Sequence, residues 1–300
     1  MKNILIPTDF SENAWNAACY AIELFKNEEC VFHLLNTYTP AIASSRFMAG
    51  SLDGGMLEKG AHLCSKNGLL SWVRRIQKNF DYPNHSFETI SSFDLLVDRI
   101  RETVAEKAID LVVTGTKGAS GIEEVFLGSN TVRIIKSIKG CPILAVPQKF
   151  EYVVPNEIAF ATDFTRFYTQ SELQPLLDLA NTFGATIRIV YVQHQIRALT
   201  ELQQFNLTML RKYLKDVEHY VHTISELNSV SSSLEAFSAE LGIHLLALLN
   251  YQHSYMEKMT REPIVKRMAF HTQIPLLVIP ELGMNVSSKR KEMTEVSVSD

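Results

Sequence analysis

Between two apolar runs the chain reads GTKGASGIEEVFLGSNT, Gly115–Thr131. Gly115, Gly118 and Gly128 sit among residues that otherwise look helical. Glycine lets backbone N–H groups approach a ligand with no Cβ in the way, and it admits positive φ. Gly128 and Ser129 stand just before the helical pattern NTVRIIKSI, and Gly115 ends the apolar strand pattern DLVVTG. A helix start offers unpaired N–H groups and the positive end of the dipole, which suits phosphate. Ser129 and Thr131 add hydroxyls. The chemistry on offer is a phosphate cradle made of one strand end and one helix start. A second reading stays open on the residues alone: a tight turn at Gly115 and Gly118, with close helix packing at Gly128. No Gly-Lys-Ser/Thr follows the glycines, and the spacing is G-x-x-G, so neither a P-loop nor a dinucleotide fingerprint is present.

Other reactive residue types offer less. Cys19, Cys30, Cys64 and Cys141 show no C-x-x-C spacing and no histidine pairs beside them, so they read as reduced small hydrophobes. His253 and His271 are too isolated for a metal site. Glu123 and Glu124 lie in the spacer between the glycines, where a solvated helix face explains them, so no general base is evident. The net charge is −4 and the pI ≈ 6.2, against a basic nucleic-acid-binding face. No apolar run reaches membrane-spanning length. The opening MKNILIPTDF enters a strand pattern with no basic-then-apolar leader, and the expected address is the cytoplasm.

The elements that must position the glycines come from an internal repeat. NILIPTDFS at Asn3–Ser11 returns as EIAFATDFT at Glu157–Thr165, FETIS at Phe87–Ser91 as VHTIS at Val221–Ser225, and GCPILAVP at Gly140–Pro147 as QIPLLVIP at Gln273–Pro280. Such a period is too long for a solenoid and implies two copies of one domain. The expected division is 1–150, 151–282 and a disordered polar tail over 283–300. In the first copy the apolar runs Asn3–Pro7, Val31–Asn36, Ser86–Ile90, Asp110–Gly115 and Pro142–Pro147 predict strands. Helices are expected over about Glu12–Lys26 capped by Ser11, Leu57–Asn79, a segment after Ser92 as cap, and Asn130–Ile138. The second copy repeats the order with Ile187–Val192 and Ile243–Leu249. Continuous apolar strands alternating with helices predict an α/β fold: two tandem copies of a five-stranded, mostly parallel open sheet with helices on both faces.

G-x-x-G, nine residues, then G-Ser/Thr is the nucleotide motif of the universal stress protein (UspA) family, and Gly115, Gly118, Gly128 and Ser129 match it without a spacing error. Chance would supply it in about one chain in a hundred of this length. ILIPTDFSENAWNAACYAIEL resembles the family's opening strand, turn and Ala-rich helix, and DLVVTG through PILAVP resembles its C-terminal half. The resemblance spans both repeats and implies an adenine nucleotide alpha hydrolase-like fold that binds ATP, with Mg²⁺. It implies that Asp9 meets the adenine or ribose, with Pro7 and Thr8 as backbone contacts. Thr37 would face the adenine where the family usually has valine. Gly115 would approach the ribose, Lys117 and Gly118 the phosphates, and Gly128, Ser129, Asn130 and Thr131 the β- and γ-phosphates.

The second copy departs from this pattern. Asp163 repeats Asp9, but Leu249 and Gln252 replace the first two glycines, and Arg261, Glu262 and Pro263 stand where the phosphate-binding helix should start. The expected function is therefore an ATP-binding stress protein with nucleotide in the first copy only. The resemblance also implies that the two copies act as an intramolecular pseudo-dimer through their last strands, or that the chain forms a homodimer. A slow ATPase or nucleotide-dependent transferase, and an interaction module without nucleotide, are the other two readings.

Overall fold

In the computed structural model the described residues are 1–38, 54–116, 129–251 and 273–282, with the side chains of 54–58 and 129 set aside. The chain divides into two units, Met1–Tyr152 and Val153–Asp300. Unit 1 holds β1 (Lys2–Pro7), α1 (Glu12–Leu24), β2 (Cys30–Thr37), α2 (Gly54–Asn79), β3 (His85–Ser92), α3 (Leu96–Glu106), β4 (Leu111–Gly115), α4 (Ser129–Ser137) and β5 (Ile143–Val146). Its strands lie in the order β3-β2-β1-β4-β5, and the paired neighbours run parallel. Parallel neighbours need crossovers, and right-handed crossovers put α1 and α2 on one face and α3 and α4 on the other. Trp15 of α1 meets Trp72 of α2 at 5.5 Å, and Arg75 of α2 lies 3.8 Å over the Trp15 ring. The strand order reverses between β1 and β4, which opens a crevice beyond their carboxyl ends.

The local causes are legible. Ile4, Leu5 and Ile6 of β1 and Val112 and Val113 of β4 are fully buried, as a sheet covered on both faces requires. Ser11 caps α1 by accepting the Ala14 N–H at 3.2 Å. The buried face of α1 is largely small, with Ala14, Ala17, Ala18 and Ala21, so the helix lies close against β4 and β5. At Gly115 the approach is closest: a Cβ there would stand 2.2 Å from Asn13 Nδ2 and 2.6 Å from its Cγ.

One expected cap is corrected. α3 begins at Leu96 after Leu95, with no side-chain cap. The reason is that β3 runs on through Ser92, which pairs with Thr37, so its backbone belongs to the ladder; its hydroxyl donates to Asp94. Cys64 also departs from the buried role expected of the thiols, since it is exposed on α2, whereas Cys30 and Cys141 are buried.

Unit 2 holds β6 (Glu157–Ala161), α5 (Gln170–Phe183), β7 (Thr186–Gln193), α6 (Glu201–Tyr213), β8 (His219–Ser225), α7 (Val230–Glu240), β9 (Leu245–Asn250) and β10 (Leu276–Pro280), with strand order β10-β9-β6-β7-β8. Register within each unit gives the correspondence between the two copies position by position. Ile4 pairs with Phe32 and Leu111, and Ile158 pairs with Ile187 and Leu245. Leu249 therefore holds the place of Gly115, and Val192 that of Thr37. The third strands correct the sequence match. Phe87 pairs with Phe32, and His219 pairs with Ile187, so His219, two residues before Val221, takes the place of Phe87. A slip of two preserves the face each side chain points to, which is why the apolar pattern could not reveal it.

A polar ladder crosses the unit 1 sheet. His33, almost fully buried, places Nε2 3.3 Å from Asn3 Oδ1 and Nδ1 3.2 Å from Glu88, which also accepts from Lys107 at 3.2 Å. Burial lowers the His33 pKa against the opposing pull of Glu88, and burial likewise lowers that of His222 in unit 2.

Two expectations follow from this packing. Gly115→Ala should destabilise unit 1 by about 1–3 kcal/mol, because Asn13 is buried and cannot withdraw without leaving its own site; urea unfolding measures it. Both histidines have folded pKa values below the ordinary 6.5. The unfolded chain therefore takes up protons first as pH falls below about 6.5, so stability is full above that value and declines as acidity approaches the folded pKa. The melting temperature should fall between about pH 7.5 and about pH 5.5. It should fall less in a His33→Gln/His222→Gln variant.

Candidate functional site

The crevice of unit 1 is built from the residues just past β1 and β4. Thr8 continues β1: its N–H donates to Leu35 O at 2.8 Å, and its carbonyl accepts Asn36 Nδ2 at 2.7 Å. Its backbone, expected from the resemblance to meet a ligand, is thus largely committed within the fold. Pro7, the other expected backbone contact, is the last residue of β1, paired with Leu35. Asp9 follows, exposed, with Oδ1 accepting the Ser11 N–H at 3.0 Å. Between them Phe10 takes a left-handed backbone, φ 64, with its N–H on Thr8 Oγ1 at 2.9 Å. The turn aims Asp9 outward while the chain reverses into α1. Thr37 ends β2 beside Ser92 of β3, two strands from β4.

On the β4 side, the left-handed backbone foreseen for a strand-end glycine falls on Phe10. Among the described residues the left-handed glycines are Gly140, Gly184 and Gly242, and Gly115 is not one of them. Its lack of a Cβ serves the approach of Asn13, which favours the close-packing reading at this glycine. Its carbonyl accepts Thr131 Oγ1 at 2.8 Å. That bond ties the first turn of α4 to the end of β4, so strand end and helix start do meet. Thr131 is buried and spends its proton on Gly115, whereas Asn130 is exposed beside it. Thr116 is fully buried, and its hydroxyl has no hydrogen-bond partner among the described residues. Ser129 opens α4. Lys117, Gly118 and Gly128 lie outside the described residues. The site thus brings together Gly115 and Thr131, with Asp9 just past the end of the neighbouring strand β1. Sequence reasoning does not single out Asn13, Asn36 and Phe10; an amide at the start of an Ala-rich helix and another in an apolar strand are the available signals.

Unit 2 treats its strand-end carboxylate differently. Asp163 is buried, and its Oδ1 accepts Thr165 N–H at 3.1 Å, Thr165 Oγ1 at 2.7 Å and the Tyr251 hydroxyl at 2.8 Å. Tyr251, two residues past Leu249, corresponds in sequence to Lys117 of the first copy. Burial and the Asp163 charge raise the Tyr251 pKa, so the phenol remains a donor. Arg166 lies 5.0 Å over the Tyr251 ring and pairs with fully buried Glu172 at 2.7 Å and with Glu281 at 3.2 Å. A cleft of about 850 Å³ remains beside Asp163, lined by Thr165, Tyr191, Gln193, Arg197 and Glu226 among others. Arg261, Glu262, Pro263, His253 and His271 lie outside the described residues. No cluster of three or more His, Cys, Asp or Glu suited to a metal ion occurs among the described residues, and no helix there is long and apolar enough to cross a membrane.

Residues 1–147 match the model of the universal stress protein family. A universal stress protein of Methanocaldococcus jannaschii is 28% identical over 145 residues, 48% of this chain and 81% of that protein. Among solved structures, a universal stress protein from Archaeoglobus fulgidus superposes with a TM-score of 0.65 at 16% identity, covering 93% of this chain and 96% of that one. A putative universal stress protein from Pseudomonas aeruginosa gives a TM-score of 0.53 at 13% identity, covering 93% of both chains. At these identities the structural likeness concerns the fold. Over residues 1–147 the strand order, the strand-end aspartate and the glycine spacing of the sequence accompany that match to the universal stress protein family.

Proposed function

We propose that the chain is a tandem universal stress protein of the cytoplasm, divided at about residues 150 and 282, that binds ATP with Mg²⁺ in its N-terminal unit alone and serves a regulatory or protective role in the stress response. The observation that carries this reading is the Thr131–Gly115 hydrogen bond at the sheet's switch point, with Asp9 exposed on the adjoining strand end. Strand end and helix start are thereby held at one crevice, which is what a nucleotide needs for its sugar at one end and its phosphates at the other. Lys117, Gly118, Gly128, Ser129 and Asn130 complete the proposed phosphate end, and Thr37 with Pro7 and Thr8 the adenosine end. The two copies are proposed to act as a pseudo-dimer or as a homodimer of the whole chain, which light scattering with and without ATP would distinguish.

Restriction to the first unit is supported by Asp163. Its carboxylate already holds three donors, one of them the Tyr251 hydroxyl. In addition Glu262 would set a negative charge where a triphosphate should lie, a mismatch worth about 2–5 kcal/mol. Calorimetric titration should give one ATP per chain, with Gly128→Val abolishing binding while the protein stays folded. Two equivalents, or undiminished affinity in a folded Gly128→Val protein, would overturn the assignment.

Turnover should be slight. The proposed cradle supplies donors to phosphate, and neither the sequence motif nor the described residues point to a base that would activate water. Phosphate release from ATP should stay far below about 1 s⁻¹, the low end for working enzymes. Steady hydrolysis at that rate would place an enzyme first.

A further inference from the structure

In both units the residue after the strand-end aspartate is a phenylalanine in a left-handed backbone, Phe10 at φ 64 and Phe164 at φ 56. A residue with a Cβ holds that conformation only where its surroundings impose it. In unit 1 the imposing element is α2. The far end of the Phe10 ring meets the helix where it has no side chain: a Cβ on Gly68 would stand 2.5 Å from Phe10 Cζ, 2.7 Å from Cε2 and 3.0 Å from Cε1. One turn along, Trp72 stands edge-on to the same ring at 5.9 Å. Trp72 is itself fixed by Trp15 at 5.5 Å, and Arg75 reaches back to Glu12 at the start of α1 at 3.1 Å.

Unit 2 holds the same turn with different chemistry. From α6, Gln203 Nε2 donates to Asp163 O at 2.8 Å, and Asn206 Nδ2 donates to Phe164 O at 2.8 Å. The Phe164 ring rests on Tyr191 at 5.5 Å. The helix after the second strand clamps the aspartate turn in each unit, by ring packing in one and by amide hydrogen bonds in the other.

We infer that α2 sets the position of the Asp9 carboxylate through the seat of Phe10 on Gly68, which makes Phe10 and Gly68 positioning residues for the nucleoside end of the ligand. The link to nucleotide rests on the proposed function; the clamp on the turn does not. Three variants test it: Gly68→Ala, Phe10→Leu and the pair. Leucine lacks the Cε and Cζ atoms that the new methyl would meet. In nucleotide-free protein, Gly68→Ala should shift the amide resonances of Phe10 and Ser11. It should weaken ATP and adenosine by the same factor, about tenfold, since it acts on the end they share. In the Phe10→Leu background, Gly68→Ala should change neither.

A purely structural effect has the opposite signature. Alanine is the better helix former, so relief of glycine in α2 would raise the melting temperature and leave affinity alone. Unmoved amides in Gly68→Ala, or an equal penalty in both backgrounds, overturn the clamp. If the amides move and their coupling to Phe10 holds while the parent protein binds neither ATP nor adenosine, the clamp stands and the nucleotide reading falls.

Discussion

Helix α1 and strand β4 meet at Gly115 with the Asn13 amide in the space a Cβ would need. Much of unit 1 follows from that approach. A helix this close to the sheet favours small residues at the approach, and four of the buried residues of α1 are alanines. The same seating starts α1 just past Asp9, so the chain must reverse within Thr8–Ser11. Phe10 makes the reversal in a left-handed backbone, and its ring needs a flat receptor, which Gly68 of α2 supplies. On the other side the Gly115 carbonyl receives Thr131 and fixes the first turn of α4. One missing methyl group thus connects the start of α1 and the start of α4 at the point where the strand order reverses.

The two units show how one frame carries different polar wiring. His33 pairs in register with Glu88, and Asn3 reaches His33 from two positions away along β1; Arg188 pairs in register with Tyr220, and Glu157 reaches Arg188 from two positions away along β6. The first set is joined through a neutral imidazole. The second is joined by an Arg188–Glu157 pair at 2.8 Å, with the guanidinium 4.6 Å over Tyr220. Both satisfy polar groups on the sheet face, but only the first contains a histidine, whose pKa burial lowers.

The contrast is sharper at the strand ends. Asp9 is exposed and Asp163 is buried under Tyr251. Arg166 and Glu172 brace that second arrangement. Glu172 accepts from Arg166, Leu282 N–H, Thr169 N–H and Thr169 Oγ1, which leaves no lone pair wanting at a fully buried carboxylate. Removing one partner of a buried pair typically costs about 3–5 kcal/mol. A strand-end carboxylate that is exposed in one unit is, in the other, part of the internal hydrogen bonding.

By itself the sequence determined the class of fold and the carboxyl ends of β1 and β4. Burial on both faces leaves a continuous apolar run, and such runs separated by helical periods admit little except a parallel sheet. For the same reason Asp9 and Gly115 could be placed at strand ends, since each closes an apolar run. Tertiary structure decided what those residues do. Gly115 is required by Asn13, Phe10 is held by Gly68, and Asp163 is covered by Tyr251, 88 positions along the chain. Each of these joins residues far apart in the chain, where a local period carries no information about the partner. The third strand of unit 2 slipped by two for a related reason: the pleat repeats every two residues, so the pattern fixes the face and leaves the register to the neighbouring strand.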